Sequence, residues 1–198
     1  MGGAAGILTA LGLSSSAGLN AYLPLLVVAL LARFTNLIHL REPWTVLTSG
    51  WTIAVLVILL LIETFADKIP AVNHANDVIQ TFIRPAAGAI LFAASSNVIS
   101  DIHPVLAIVC GILVAGSVHA VKSVAVRPAV TVVTGAPTGG VGTFPANIVV
   151  STLEDILAIV TSLAAVLVPL ILALVLLIAV IAIAWWLLRQ QRSRIARA

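Results

Sequence analysis

Apolar residues run along this chain in long blocks, interrupted by polar residues at a few places. The blocks are too long for half-buried strands and too uniformly apolar for the faces of amphipathic helices. Segments 4–32, 51–66, 78–96, 105–133, 146–164 and 166–188 are charge-free or nearly so, and each predicts a membrane-spanning helix. Polar or glycine-rich connections at 35–50, 71–77, 97–103 and 135–145 separate them. No charged residue occurs between Ile156 and Leu188. At about 1.5 Å per residue, a straight helix of that length outreaches a hydrocarbon core of about 30 Å. The run must tilt, kink at Pro169 or divide, and a division near 165 is the expectation.

Composition agrees with the pattern. The 198 residues are 61% hydrophobic and 9% charged, with a mean hydropathy of +1.20, against a charged fraction of about a quarter in ordinary soluble domains. The expected fold is all-α, an integral membrane bundle of about six transmembrane helices forming a single domain over 1–198. The start of the chain, Met-Gly-Gly-Ala-Ala-Gly, has no basic stretch before its apolar run, so a cleaved signal peptide is not expected.

The net charge of +3 is unevenly placed, because Arg189, Arg192, Arg194 and Arg197 all lie in the tail 189–198. Basic residues directly after Trp185 and Trp186 read as an interfacial anchor followed by a cytoplasmic end, which gives the arginines a topological purpose. Nucleic acid is therefore not an expected partner. The lone Cys110 excludes an intrachain disulfide and a cysteine-clustered metal site.

The two halves correspond loosely, with 1–100 as a first repeat and 101–188 as a second. The first carries Ser14-Ser-Ser-Ala-Gly-Leu-Asn20 before Pro24, and the second Gly116-Ser-Val-His119-Ala-Val-Lys122 before Arg127-Pro128. Acidic elements then follow at Glu63-Thr-Phe-Ala-Asp67-Lys68-Ile-Pro70 and at Ser151-Thr-Leu-Glu154-Asp155. Three helices per half give the second half opposite polarity, so the arrangement predicts inverted repeats. Each in-helix proline also frees the carbonyl four residues earlier. Those carbonyls belong to Asn20, Thr81, Val124 and Ala165, and the serines, glycine and asparagine around Asn20 point to a broken helix there, with Ser16 and Asn20 supplying ligands.

Candidate chemistry gathers at the same places. Glu63 and Asp67, four residues apart, share a helical face. Two carboxylates in a low dielectric resist ionising together, which suits proton or cation exchange, with Lys68 neutralising one. Asn147, Ser151 and Asp155 line an oxygen-rich face with Glu154 beside it, suited to a cation or to a wet vestibule. His119, Ser123 and Arg127 form another face, with Lys122 nearby, and the acids of other helices are the expected partners. Asp77, Arg84, Lys122 and Arg127 complete a near balance of charge that suggests an internal ion-pair network. Arg84-Pro85 and Arg127-Pro128 share a tripeptide with the following alanine. If each proline opens a helix, the arginine sits at an anion-attracting N-terminus; the alternative is that Arg84 pairs with Glu63 or Asp77.

Phosphate-loop endings, paired histidines or cysteines and nucleophile elbows are absent, so neither an enzyme nor a cofactor is expected. His39, His74 and His103 fall in predicted connections. His74 is three residues from Asp77 and can join the Asp67 cluster.

Ser16-Ala-Gly-Leu-Asn20-Ala-Tyr-Leu-Pro24, Glu63-Thr-Phe-Ala-Asp67-Lys68-Ile-Pro70, Arg84-Pro85-Ala-Ala-Gly88 and Ser151-Thr-Leu-Glu154-Asp155 together resemble a bacterial membrane family, domain of unknown function four-one-two-six. The likeness extends to about Leu170, with Asp67-Lys68-Ile-Pro70 as its most specific part, and implies a small polytopic membrane protein. A more distant likeness is to cation/proton exchangers with a Glu-x-Gly-Asp-Lys/Arg signature in each inverted half. Here Glu63 and Asp67 are separated by three residues instead of two, and Glu154 and Asp155 are adjacent with no basic residue after them.

The expected function is secondary transport, or a channel derived from it, of a small ion or solute with cation or proton coupling. Two alternatives stand: a carrier of an anionic solute or lipid phosphate on the Arg-Pro elements, and a non-transporting scaffold that binds a partner. The expected setting is the bacterial inner membrane, multi-pass, with the lipid bilayer as partner and room for a homodimer.

Overall fold

A computed structural model describes residues 3–68, 70–96, 102–123 and 148–169, with Ile171, Ile178 and Trp185; for residues 3–4, 67–68, 70–75 and 96 it describes the backbone alone. Among the described residues there are only helices and turns. They are α1 (Gly3–Leu19), α2 (Tyr22–Phe34), a short 3-10 turn (Trp44–Thr48), α3 (Gly50–Lys68), α4 (Pro70–Ser96), α5 (Pro104–Val121) and α6 (Ile148–Pro169). Three stretches are long and apolar enough to cross a membrane: Asn76–Ser95, Pro104–Val121 and Ile148–Pro169. Apolar stretches in α1, α2 and α3 are shorter. Large apolar side chains such as Val55, Ile58, Leu61, Leu113 and Leu153 are exposed on the outer faces, as lipid contact demands. The molecule is a helical membrane-protein bundle.

Local chemistry sets the helix starts. Ser49 Oγ accepts the Thr52 N–H at 3.1 Å and caps α3. Pro104 opens α5 behind His103, whose Nδ1 accepts the Val105 N–H at 3.3 Å. Pro70 is the first residue of α4, where its fixed φ and missing N–H cost nothing. Residues 71–77, expected as a connection, are therefore the first turns of α4: a proline start carries the helix beyond its apolar segment.

The expected division near 165 is also corrected. Helix α6 runs through Ala164 and Ala165 to Pro169, because nothing before that proline interrupts its backbone. Pro169 frees the Ala165 carbonyl as the sequence implied, and Thr9 Oγ1 of α1 donates to it at 2.9 Å. Apart from Ile171, Ile178 and Trp185, the last expected span beyond Pro169 lies outside the described residues, as do the end of the 105–133 span and the 135–145 connection.

The expected first span, 4–32, is two helices that fold back on each other. A cavity of about 150 Å³ is lined at once by Gly6, Thr9 and Leu13 of α1, Val28 of α2, and Ile38 beyond it. A continuing rod would hold Gly6 and Ile38 some tens of ångströms apart. The turn of this hairpin is Asn20–Ala21. Leu13, Ala17, Tyr22, Leu25 and Val28 pack inward against Leu91 of α4 and Val166 of α6.

Small residues let the other helices close around the hairpin. A Cβ on Gly18 would stand 2.6 Å from the Ala115 carbonyl oxygen, and one on Gly88 would stand 2.7 Å from that of Gly111. Backbone-to-backbone approach of this kind is how helices associate where lipid supplies no hydrophobic drive.

Candidate functional site

Asn20 organises the site. Its Oδ1 accepts the N–H groups of both Tyr22 and Leu23 at 3.0 Å, capping α2. In a continuing helix those two donors would have served the carbonyls of Gly18 and Leu19. Pro24 has no N–H for the Asn20 carbonyl. The break thus exposes a set of carbonyls at the negative end of α1, inside the bundle.

Cations from two other helices meet that end. Arg84 Nη1 of α4 lies 3.4 Å from the Gly18 carbonyl, and Lys122 Nζ, just past α5, donates to the Leu19 carbonyl at 3.1 Å. Each cation also holds an acid. Arg84 Nη2 is 3.1 Å from Glu63 Oε1 of α3, with both side chains almost wholly buried. Lys122 Nζ is 2.6 Å from Glu154 Oε2 of α6. Asp155 Oδ1 accepts from Asn20 Nδ2 at 2.9 Å. The hairpin tip is therefore tied to α3 through Arg84 and to α6 through both Lys122 and Asn20.

His119 bridges Arg84 and Thr81. Arginine offers only donors, so His119 Nδ1, 3.2 Å from Arg84 Nη1, accepts. In the neutral ring Nε2 then carries the hydrogen and donates to Thr81 Oγ1 at 3.2 Å. The Thr81 hydroxyl passes its own hydrogen to the Asp77 carbonyl at 2.8 Å. A π-helical turn at Lys122–Ser123 follows, of a type that often marks working sites.

Lower on α1, Ser16 Oγ donates to the Ala158 carbonyl at 2.7 Å and lies 2.7 Å from Ser162 Oγ. Ser14 Oγ donates to the Gly88 carbonyl at 2.9 Å. These bonds hold α1 to α6 and α4 along the length leading to the tip.

Most of the expected residues converge here: Ser16, Asn20, Glu63, Arg84, His119, Lys122, Ser151, Glu154 and Asp155. Asp77 is half-buried at the edge. The side chains of Asp67, Lys68 and His74, and all of Asn147 and Arg127, lie outside what is described. Arg84 pairs with Glu63, one of the two acids that the sequence offered it. The reading of Arg84-Pro85 as a helix start is corrected, since Pro85 lies inside α4, directly after a buried arginine that already holds three groups. His39 and His103 are exposed, as expected of connections.

The side chains of Gln80, Thr81, Tyr22 and Ser162 join the site without having been expected there. Gln80 and Ser162 are buried, and Tyr22 lies close to Glu63, Arg84 and Gln80. A signal was present: Asp77, Gln80, Thr81, Arg84 and Gly88 recur at three- and four-residue intervals, the mark of one helical face. Gln80 Oε1, Arg84 Nε, Ser151 Oγ and Glu154 Oε1 are buried with no hydrogen-bond partner among the described residues.

The chain belongs to the family of the Domain of unknown function (DUF4126), whose model matches residues 7–190. No curated protein and no solved structure gives a significant match, so the likeness to inverted-repeat exchangers has no support from relatives.

Proposed function

We propose that this member of the family is a secondary transporter, or a channel derived from one, that moves a small ion or solute with cation or proton coupling. The observation that carries the reading is the α1–α2 break. A helix end with freed carbonyls lies inside an apolar bundle, and ionisable side chains from α3, α4 and α6 and from the end of α5 converge on it. Charges and irregular backbone at such a place are expensive, and in membrane proteins they accompany ion and substrate paths. Half-helix ends that present backbone to a solute are a recurring transporter device. The inverted repeat is part of the proposal, with the break at Asn20 set against the π-helical turn at Lys122–Ser123 as the irregular elements of the two halves. So are residence in a bacterial inner membrane and a cytoplasmic C-terminus.

Reconstitution into proteoliposomes tests this. An imposed proton or cation gradient is expected to dissipate through the wild-type protein and to be retained with Glu63→Gln, while the variant remains monodisperse in detergent. Equal flux through both removes Glu63 from the mechanism. No flux under any gradient sinks the transport reading.

A scaffold reading draws on a specific feature: both buried cations already hold acids. It requires that Glu63→Leu with Arg84→Met preserve function in cells. The anionic-solute reading is weakened, because Arg84 is engaged by Glu63, the Gly18 carbonyl and His119.

A further inference from the structure

Two of the buried atoms without a hydrogen-bond partner lie one turn apart on α6. Among the described residues Ser151 Oγ and Glu154 Oε1 both lack a partner, and their residues are only 4% and 7% exposed. The next positions on the same face are Asp155, bonded to Asn20, and Ala158, bonded to Ser16. The pair therefore faces the hairpin tip. An unsatisfied buried polar atom costs about 1–3 kcal/mol, more when charged, and a native structure that keeps one needs a reason, such as a bound ion.

Resting on the transporter reading, we propose that the coupling ion is a monovalent alkali cation, sodium in the first instance, held by Ser151 Oγ and Glu154 Oε1. Chemistry narrows the class. A carboxylate oxygen has no hydrogen to donate, so the pair does not suit an anion. Calcium takes six to eight oxygens and magnesium demands a near-ideal octahedral shell, and among the described residues no group of three His, Cys, Asp or Glu side chains gathers to hold a metal. One carboxylate oxygen and one hydroxyl, completed by water, match a singly charged ion.

Asp155 places a second carboxylate beside that of Glu154, which favours a cation over an anion there. An open groove of about 260 Å³ lined by Leu19, Ser117, Val118, Val121 and Lys122 reaches the lysine paired with Glu154 from outside. Loading also acts on the hairpin. An ion on Glu154 Oε1 weakens the hold of Oε2 on Lys122, whose ammonium also holds the Leu19 carbonyl at the end of α1.

Equilibrium binding of radioactive sodium to the purified protein in detergent tests the site without requiring transport. Saturable binding is expected. Ser151→Ala and Glu154→Gln should each weaken it at least tenfold, and Thr152→Ala, exposed on the same helix, should leave it unchanged. Absence of saturable sodium binding, or equal affinity in the wild type and Ser151→Ala, overturns the proposal. Should Glu154→Gln not yield monodisperse protein, Ser151→Ala alone decides. Sodium binding without any flux in proteoliposomes supports the ion site and sinks the transport reading. Flux in a protein that binds no sodium does the reverse.

Discussion

Asn20 and Asp155 stand 135 positions apart and share a hydrogen bond of 2.9 Å, while the other end of the same amide caps α2. One side chain thus breaks a helix and fixes the break against α6. Asn20→Asp keeps an acceptor for the cap but sets two carboxylates against each other, so thermal unfolding in detergent should fall by several degrees. Adding Asp155→Asn restores a donor and should recover most of the loss. Asn20→Ala removes both roles, with the cap alone contributing about 1 kcal/mol, and Asp155→Asn should not rescue it.

The Glu63–Arg84 pair is buried on both sides. Removing one partner strands the other charge and should cost about 3–5 kcal/mol. Glu63→Leu combined with Arg84→Met should cost far less than the sum of the single variants in a double-mutant cycle read by chemical denaturation. Additive losses would mean that the two charges do not interact.

Where α4 and α5 cross, a Cβ on Gly111 would stand 2.6 Å from the Ala89 Cα. Because the obstacle is backbone, the helices must part to admit it. Gly111→Ala should destabilise by about 1–3 kcal/mol, and Gly111→Val by more. Gly116→Ala, whose added Cβ would meet only the Pro85 ring at 3.7 Å, should be near neutral. The thermal shifts of the three variants, compared side by side, check this order.

His119 accepts from Arg84 through Nδ1. An asparagine places an acceptor close to the Nδ1 position, whereas a leucine leaves the guanidinium short of one. His119→Asn should therefore be more stable than His119→Leu by about 1–3 kcal/mol, measured by denaturation in detergent. Equal stabilities would show that this contact contributes nothing.

Much of the site was legible in the sequence. Charges in an apolar chain must find partners, so Glu63, Lys122, Glu154 and Asp155 could be expected to meet other buried groups. The polar turn before Pro24 announced a break at Asn20. What could not be read was how the partners pair. Arg84 had two acids within plausible reach, and Lys122 had several. Only the antiparallel run of α3 and α4 and the placing of α6 beside α1 select Glu63 and Glu154.

The sequence by itself determined that the chain is helical and membrane-embedded, because segment length and apolar content decide what a bilayer will hold, and the polar turn before Pro24 marked the break near Asn20. The direction of the chain after the break belonged to tertiary structure alone. A helix interruption fixes which carbonyls are freed, but not whether the next helix continues or turns back. Packing of Leu13 and Val28 against Leu91 and Val166 turned α2 back along α1. Two buried cations then found the freed carbonyls, since a charge withdrawn from water needs every acceptor within reach.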